Sequence, residues 1–156
     1  MVPDLATVIK ASQAISSEIR LDRLLEKLLK TVLENAGAQQ GFLLLEEEGH
    51  LLIEAEGTAE REEVILHQSR PAEAAAADGL PLLPLSIIRH VKRTRESLVL
   101  ADAADNEQFN TDPYVRYRQP KSIFCFPMVR QNQLFGLLYL ENNLTGIAFT
   151  LSLIHI

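Results

Sequence analysis

The chain is poor in cysteine. Cys125 stands alone among 156 residues, so no internal disulfide can form, and a reducing compartment suits it. It also lacks a surplus of positive charge. Fifteen Lys and Arg against 21 Asp and Glu leave a net charge of -6. That balance works against a nucleic-acid surface, which needs a basic face to displace counterions, and against an anionic membrane. Its plain reading is solubility. No apolar run approaches the length of a bilayer span. The opening residues MVPDLATVIK have no basic segment followed by an apolar run, so no signal peptide is read and a cytoplasmic location is expected. There is no Gly-rich phosphate loop and no GxSxG nucleophile motif. His50, His67, His90 and His155 lack metal-ligand spacing, and no second cysteine supports a zinc site. The expectation is a protein without catalysis and without a metal.

What is present is the material of one folded domain. Hydrophobic residues make up 47% of the chain, enough to bury a core at this length. From Asp4, a suitable N-cap, Leu5, Val8, Ile9, Ser12, Ile15 and Ile19 mark one helical face. A second helix follows with the stripe Leu21, Leu24, Leu25, Leu28, Leu29, Val32 and Leu33, a Glu26–Lys30 pair on its polar side, and Gly37 as its stop. Strands are predicted over 41–46, 50–56 and 63–68, the first two joined by a turn at Glu48-Gly49. In the second, Leu51, Ile53 and Ala55 are expected on one side.

Residues 69–84, rich in Pro and Ala, read as a long connection with a short helical turn at the alanines; such loops are usually functional. A helix over 86–95 and a strand over 97–101 follow, then a polar loop with short helical turns over 102–119. KSIFCFPMVR (121–130) alternates: Ile123, Cys125, Pro127 and Val129 face one side, Phe124, Phe126 and Met128 the other. Pro127 marks an edge or a bulge. A turn at Gln131-Asn132 leads to a hairpin partner over 134–140. Successive strands and a final hairpin imply an antiparallel sheet with helices covering a face, an α+β arrangement. The segment after Asn143 ends apolar and uncapped where a closing helix is expected. Truncation is therefore expected, with 151–156 (LSLIHI) a truncated or non-native tail.

DLATVIKASQAISSEI, LDRLLEKLLKTVLENAGAQQGFLLL, LPLSIIRHVKRTRESLVLADA, DPYVRYRQPKSIFCFPM and, above all, LFGLLYLENNLTGIAFT resemble a GAF domain over residues 1–150. They are most like the GAF domains of cyanobacterial hybrids that join a Ser/Thr kinase-like and an ATPase-like region to a sensor histidine kinase. The resemblance implies a PAS-related antiparallel sheet of five to six strands. N-terminal helices (4–36) would cover one face and loops or short helices the other, with the sheet and pocket region at 40–142 and the closing C-terminal helix missing. It implies a regulatory module of a multidomain signalling kinase, one that binds a small molecule or relays a conformational signal. A dimerising module without ligand is the alternative. Adjacent kinase regions and a second copy of the chain are the implied partners.

The ligand candidates are Asp102, Asn106, Phe109, Tyr114, Arg118, Phe124 and Phe126, which mix stacking surfaces with hydrogen-bonding groups as small-ligand pockets do. A solvated loop with tyrosines packed over the sheet fits the segment equally well. Asn106-Glu107-Gln108-Phe109 matches only the asparagine and, loosely, the phenylalanine of the cyclic-nucleotide signature, so that ligand is disfavoured. A bilin is disfavoured as well, because Cys125 lacks the loop-helix setting followed by histidine that anchors one. Cys125 reads as a small buried core residue. Arg89, Lys92, Arg93 and Arg95 read as a solvated helix face.

Overall fold

The computed structural model of the protein describes residues 23–59 and 63–143. The helix expected over 4–19 and the tail expected over 151–156 lie outside the described residues. Helix α1 covers 23–36. It buries the row Leu25, Leu29, Leu33 and Ala36, one face at helical spacing. Leu24 and Leu28, expected in the same stripe, are 61% and 42% exposed instead. Gly37 adopts φ +69, and the Ala38 amide returns to the Leu33 carbonyl at 3.2 Å, the Schellman closure that satisfies an orphan carbonyl.

Six strands follow: β1 (Gln40–Glu47), β2 (His50–Thr58), β3 (Glu63–Pro71), β4 (Leu98–Leu100), β5 (Ser122–Arg130) and β6 (Gln133–Asn142). Their order in the sheet is β3-β2-β1-β6-β5-β4, and every pairing is antiparallel. The turns Glu48-Gly49 and Gln131-Asn132 have positive φ at both central residues, the twist-matched geometry of a two-residue hairpin. Two irregularities correct the alternation read from sequence. In β2, Leu43 pairs with Ala55 but Leu44 with Ile53, so Glu54 is an extra residue. Ala55 therefore joins the core under α1, while Leu51 and Ile53 face the opposite layer. In the β5–β6 hairpin, Phe135 is the extra residue, between the Met128–Gly136 and Val129–Leu134 pairs.

The connection over 72–84 contains no helical turn. Ala75 bridges Pro81, the Ala76 amide donates to the Leu80 carbonyl, and Asp78 Oδ1 accepts the Leu80 amide across the positive-φ Gly79. Turn chemistry at Asp-Gly outweighs the alanines' helix propensity. Helix α2 (Leu85–Thr94) then crosses the sheet with Ile87, Ile88 and Val91 buried. A short helix, α3 (Pro113–Arg118), stands in the loop expected to carry such turns.

The sheet thus has two apolar layers. Leu43, Ala55 and Leu140 face α1, whereas Phe42, Leu44, Ile53, Leu137 and Tyr139 pack with α2, Val115 of α3, and Phe109. Close approach fixes where the strands sit. At Gly136 an added Cβ would lie 2.5 Å from the Leu44 carbonyl oxygen and 2.5 Å from Met128 Cε. The carbonyl belongs to the β1–β6 ladder and cannot retreat without breaking it. Gly136→Ala is expected to cost about 1–3 kcal/mol, read as a lower urea midpoint with unchanged slope; an unaltered midpoint would contradict this packing.

Candidate functional site

The last residues of β6 carry polar groups into the α2-side layer. By strand alternation Leu137, Tyr139 and Glu141 share that face. Glu141 is 2% exposed, so its carboxylate is solvated by side chains. Tyr139 Oη donates to Oε1 at 2.9 Å. Tyr114 Oη, from α3, lies 3.0 Å from both oxygens. Asn143 Nδ2 reaches Oε2 at 3.4 Å. Burial pushes the Glu141 carboxyl above its ordinary value, opposed by these hydrogen bonds and by the charge of Arg118. Burial and the neighbouring carboxylate push both tyrosine hydroxyls up, so they remain protonated donors.

Asp112 holds α3 in place. Its Oδ1 accepts the amides of Tyr114 and Val115, capping α3. Its Oδ2 accepts the Ser86 amide at 2.8 Å. Pro84, the N-cap residue of α2, offers no side-chain cap, so one buried carboxylate caps two helices. At the other end of α3, Arg118 Nη2 meets Asp78 Oδ2 at 2.9 Å and ties α3 to the 72–84 connection. Gln40, Leu82, Tyr114, Arg118, Glu141 and Asn143 enclose a recess of ≈ 280 Å³.

The same segment reaches the other layer. Asn142 Nδ2 donates to the Gly37 carbonyl at 2.6 Å, and the Asn143 amide donates to Gln39 Oε1 at 2.6 Å. Glu141-Asn142-Asn143 therefore touches the recess and the end of α1 at once.

Of the residues singled out from sequence, Tyr114 and Arg118 meet at this recess. Asp102 is exposed and apart from it. Asn106 organises a turn, accepting the Gln108 amide at its side chain and the Phe109 and Asn110 amides at its carbonyl. Phe109 is buried in the core, with the His90 ring edge-on at 5.4 Å. Phe124 and Phe126 lie on the opposite face, as their own alternation required, with Phe126 45% exposed. Cys125 is buried, and burial pushes its thiol up. Sequence reasoning missed Glu141, Tyr139, Asn143, Gln40 and Asp78. The available signal was a carboxylate at core parity in an apolar strand.

Residues 20–155 match the GAF domain family model. The chain belongs to the GAF family. Among curated proteins this GAF domain is 28% identical, over an alignment 237 positions long with its gaps, to hybrid signal transduction histidine kinase G of Dictyostelium discoideum. It is 25% identical over 141 residues to the peroxide stress-activated histidine kinase mak3 of Schizosaccharomyces pombe. These alignments cover 92% and 88% of the chain but 7% and 6% of the relatives, so the chain spans a small fraction of their length. Neither organism is a cyanobacterium, in contrast to the cyanobacterial hybrids expected from the motifs. The fold is shared with the GAF domain region of a Geobacter sulfurreducens PCA protein, at TM-score 0.61 and 15% identity, over 91% of this chain and 90% of that one.

Two outcomes follow from the geometry. Asp112→Ala removes both caps and should cost about 1–3 kcal/mol, with faster amide exchange at the starts of α2 and α3; protected amides there would refute the double cap. Glu141 holds its proton more tightly folded than unfolded. Its contribution is therefore full below the unfolded pKa and is lost as pH rises through the folded one. Against Glu141→Gln, the native chain should lose stability as pH rises above the ordinary glutamate range, measured by urea unfolding. Parallel curves would refute the shift.

Proposed function

We propose that this chain is a regulatory module of a larger signalling kinase, which binds a small molecule in the Glu141 recess and passes the change to α1. The carrying observation is the Glu141-Asn142-Asn143 segment. Glu141 and Asn143 line the recess, while Asn142 holds the Gly37 carbonyl at the end of α1. A ligand that rearranges the Tyr114–Glu141 contacts acts on the same strand end that anchors the helix. It biases one arrangement over another by its differential affinity for the two. The histidine-kinase names of the curated relatives support a kinase parent. In this reading kinase catalysis and the adjacent kinase regions belong to the parent, and the module lies in the cytoplasm. Among the described residues, no helix is long and apolar enough to cross a membrane, and no three His, Cys, Asp or Glu residues are grouped to hold a metal ion.

A second reading has its own observation. Leu24 and Leu28 expose an apolar row on α1. A second copy covering that row would make the module a dimeriser that needs no ligand. The two readings separate in one set of measurements. A metabolite panel with thermal-shift readout should yield a stabilising compound. Hydrogen exchange should then show its effect at the end of α1 in the native chain and not in Asn142→Ala. Silence across the panel, together with a dimer that Leu24→Glu and Leu28→Glu dissolve in sedimentation, would replace sensing with dimerisation.

A further inference from the structure

The ligand class can be read from the unspent hydrogen-bonding capacity of the recess, given that the recess is the ligand site proposed above. Two tyrosine protons face Glu141. Tyr139 gives its proton to Oε1, and Tyr114 shares one proton between both oxygens at 3.0 Å. Oε2 has only that half share and the long 3.4 Å contact from Asn143. It is the carboxylate oxygen with room for another donor, and it belongs to a lining residue of the recess. Arg118 shows the opposite surplus. It spends one N–H on Asp78 and leans over the Tyr117 ring at 5.9 Å, and its side chain is 38% exposed. A fork of donors at the same recess is thus available to an acceptor.

Charge then limits what fits. An anion alone would satisfy Arg118 but face the Glu141 carboxylate. A cation alone would satisfy Glu141 but face the guanidinium. One small molecule bearing both charges pairs each wall, which avoids leaving a buried charge uncompensated. Gln40 and Asn143 add amide groups that serve either end, and Leu82 is the apolar lining residue. The volume of ≈ 280 Å³ lies just below the usual pocket range and is ample for a molecule of amino-acid size. We propose that the recess takes a small zwitterion of the amino-acid type, with its ammonium toward Glu141 Oε2 and its carboxylate toward Arg118.

The test is calorimetry and thermal shift on the full chain. The probes are the proteinogenic L-amino acids, then, for each binder, the matched amine without the carboxylate and the matched acid without the amine. At least one amino acid should bind, and both of its truncated analogues should bind about tenfold weaker or worse. Arg118→Met and Glu141→Gln should each weaken that amino acid by a similar factor. Arg118→Met alters a half-exposed side chain, so it gives a reading even if Glu141→Gln folds poorly. Analogues that match the amino acid, or an Arg118→Met chain that binds it normally, would overturn the zwitterion. If amino acids fail while organic acids, amines or neutral metabolites bind and Arg118→Met weakens them, the ligand class is wrong and the recess stands as a site. If nothing in any class binds, both fall.

Discussion

A carboxylate taken out of water must find its solvation inside the protein, and the fold around Glu141 is arranged to supply it. Tyr139 comes from the same strand and is in place once β6 pairs. Tyr114 comes from α3 and arrives only if that helix is held over the sheet. Asp112 does the holding, and because it also caps α2, the seating of both helices depends on one buried side chain. The 72–84 connection is drawn in by Asp78 on Arg118, and Leu83 fills the core beneath. The polar recess follows from these constraints together.

The price of such a site is stability that varies with its ionisation. Hydrogen bonds from Tyr139, Tyr114 and Asn143 oppose the burial of the Glu141 charge, but burial is the larger effect. In the proposed reading, a charged or hydrogen-bonding ligand would shift this balance. Continuity through Asn142 to Gly37 gives such a response a short path to α1. α1 itself lies close on the sheet. A Cβ on Gly57 would fall 2.7 Å from Leu33 Cδ1, so the glycine lets the Leu33 side chain of α1 sit directly on β2.

The scaffold was largely legible in the sequence, for local reasons. Glu48-Gly49 and Gln131-Asn132 announce hairpins because their residues tolerate positive φ between alternating strands. The alternation in SIFCFPMVR assigned Ile123 and Cys125 to one layer and Phe124 to the other, as observed. What escaped was set by tertiary pairing. The Glu54 bulge moves Ala55 across the sheet, and nothing in HLLIEAEGT marks it. Asp112 reads from sequence only as part of a polar loop, and its bond to Ser86 spans 26 residues. The site was half legible. Tyr114 and Arg118 stood out as a polar and aromatic mixture in a loop. Glu141 was hidden in a motif quoted only for family likeness, although its parity with Leu137 and Tyr139 pointed it inward.

Glu141 is a buried, tyrosine-solvated carboxyl, and its side-chain carbon can be followed through a pH titration by NMR in the intact chain. The expected midpoint lies above the ordinary glutamate value and moves higher still in Tyr139→Phe, which removes a bond that favours the charged form. A midpoint at the ordinary value, unmoved by that substitution, would contradict it.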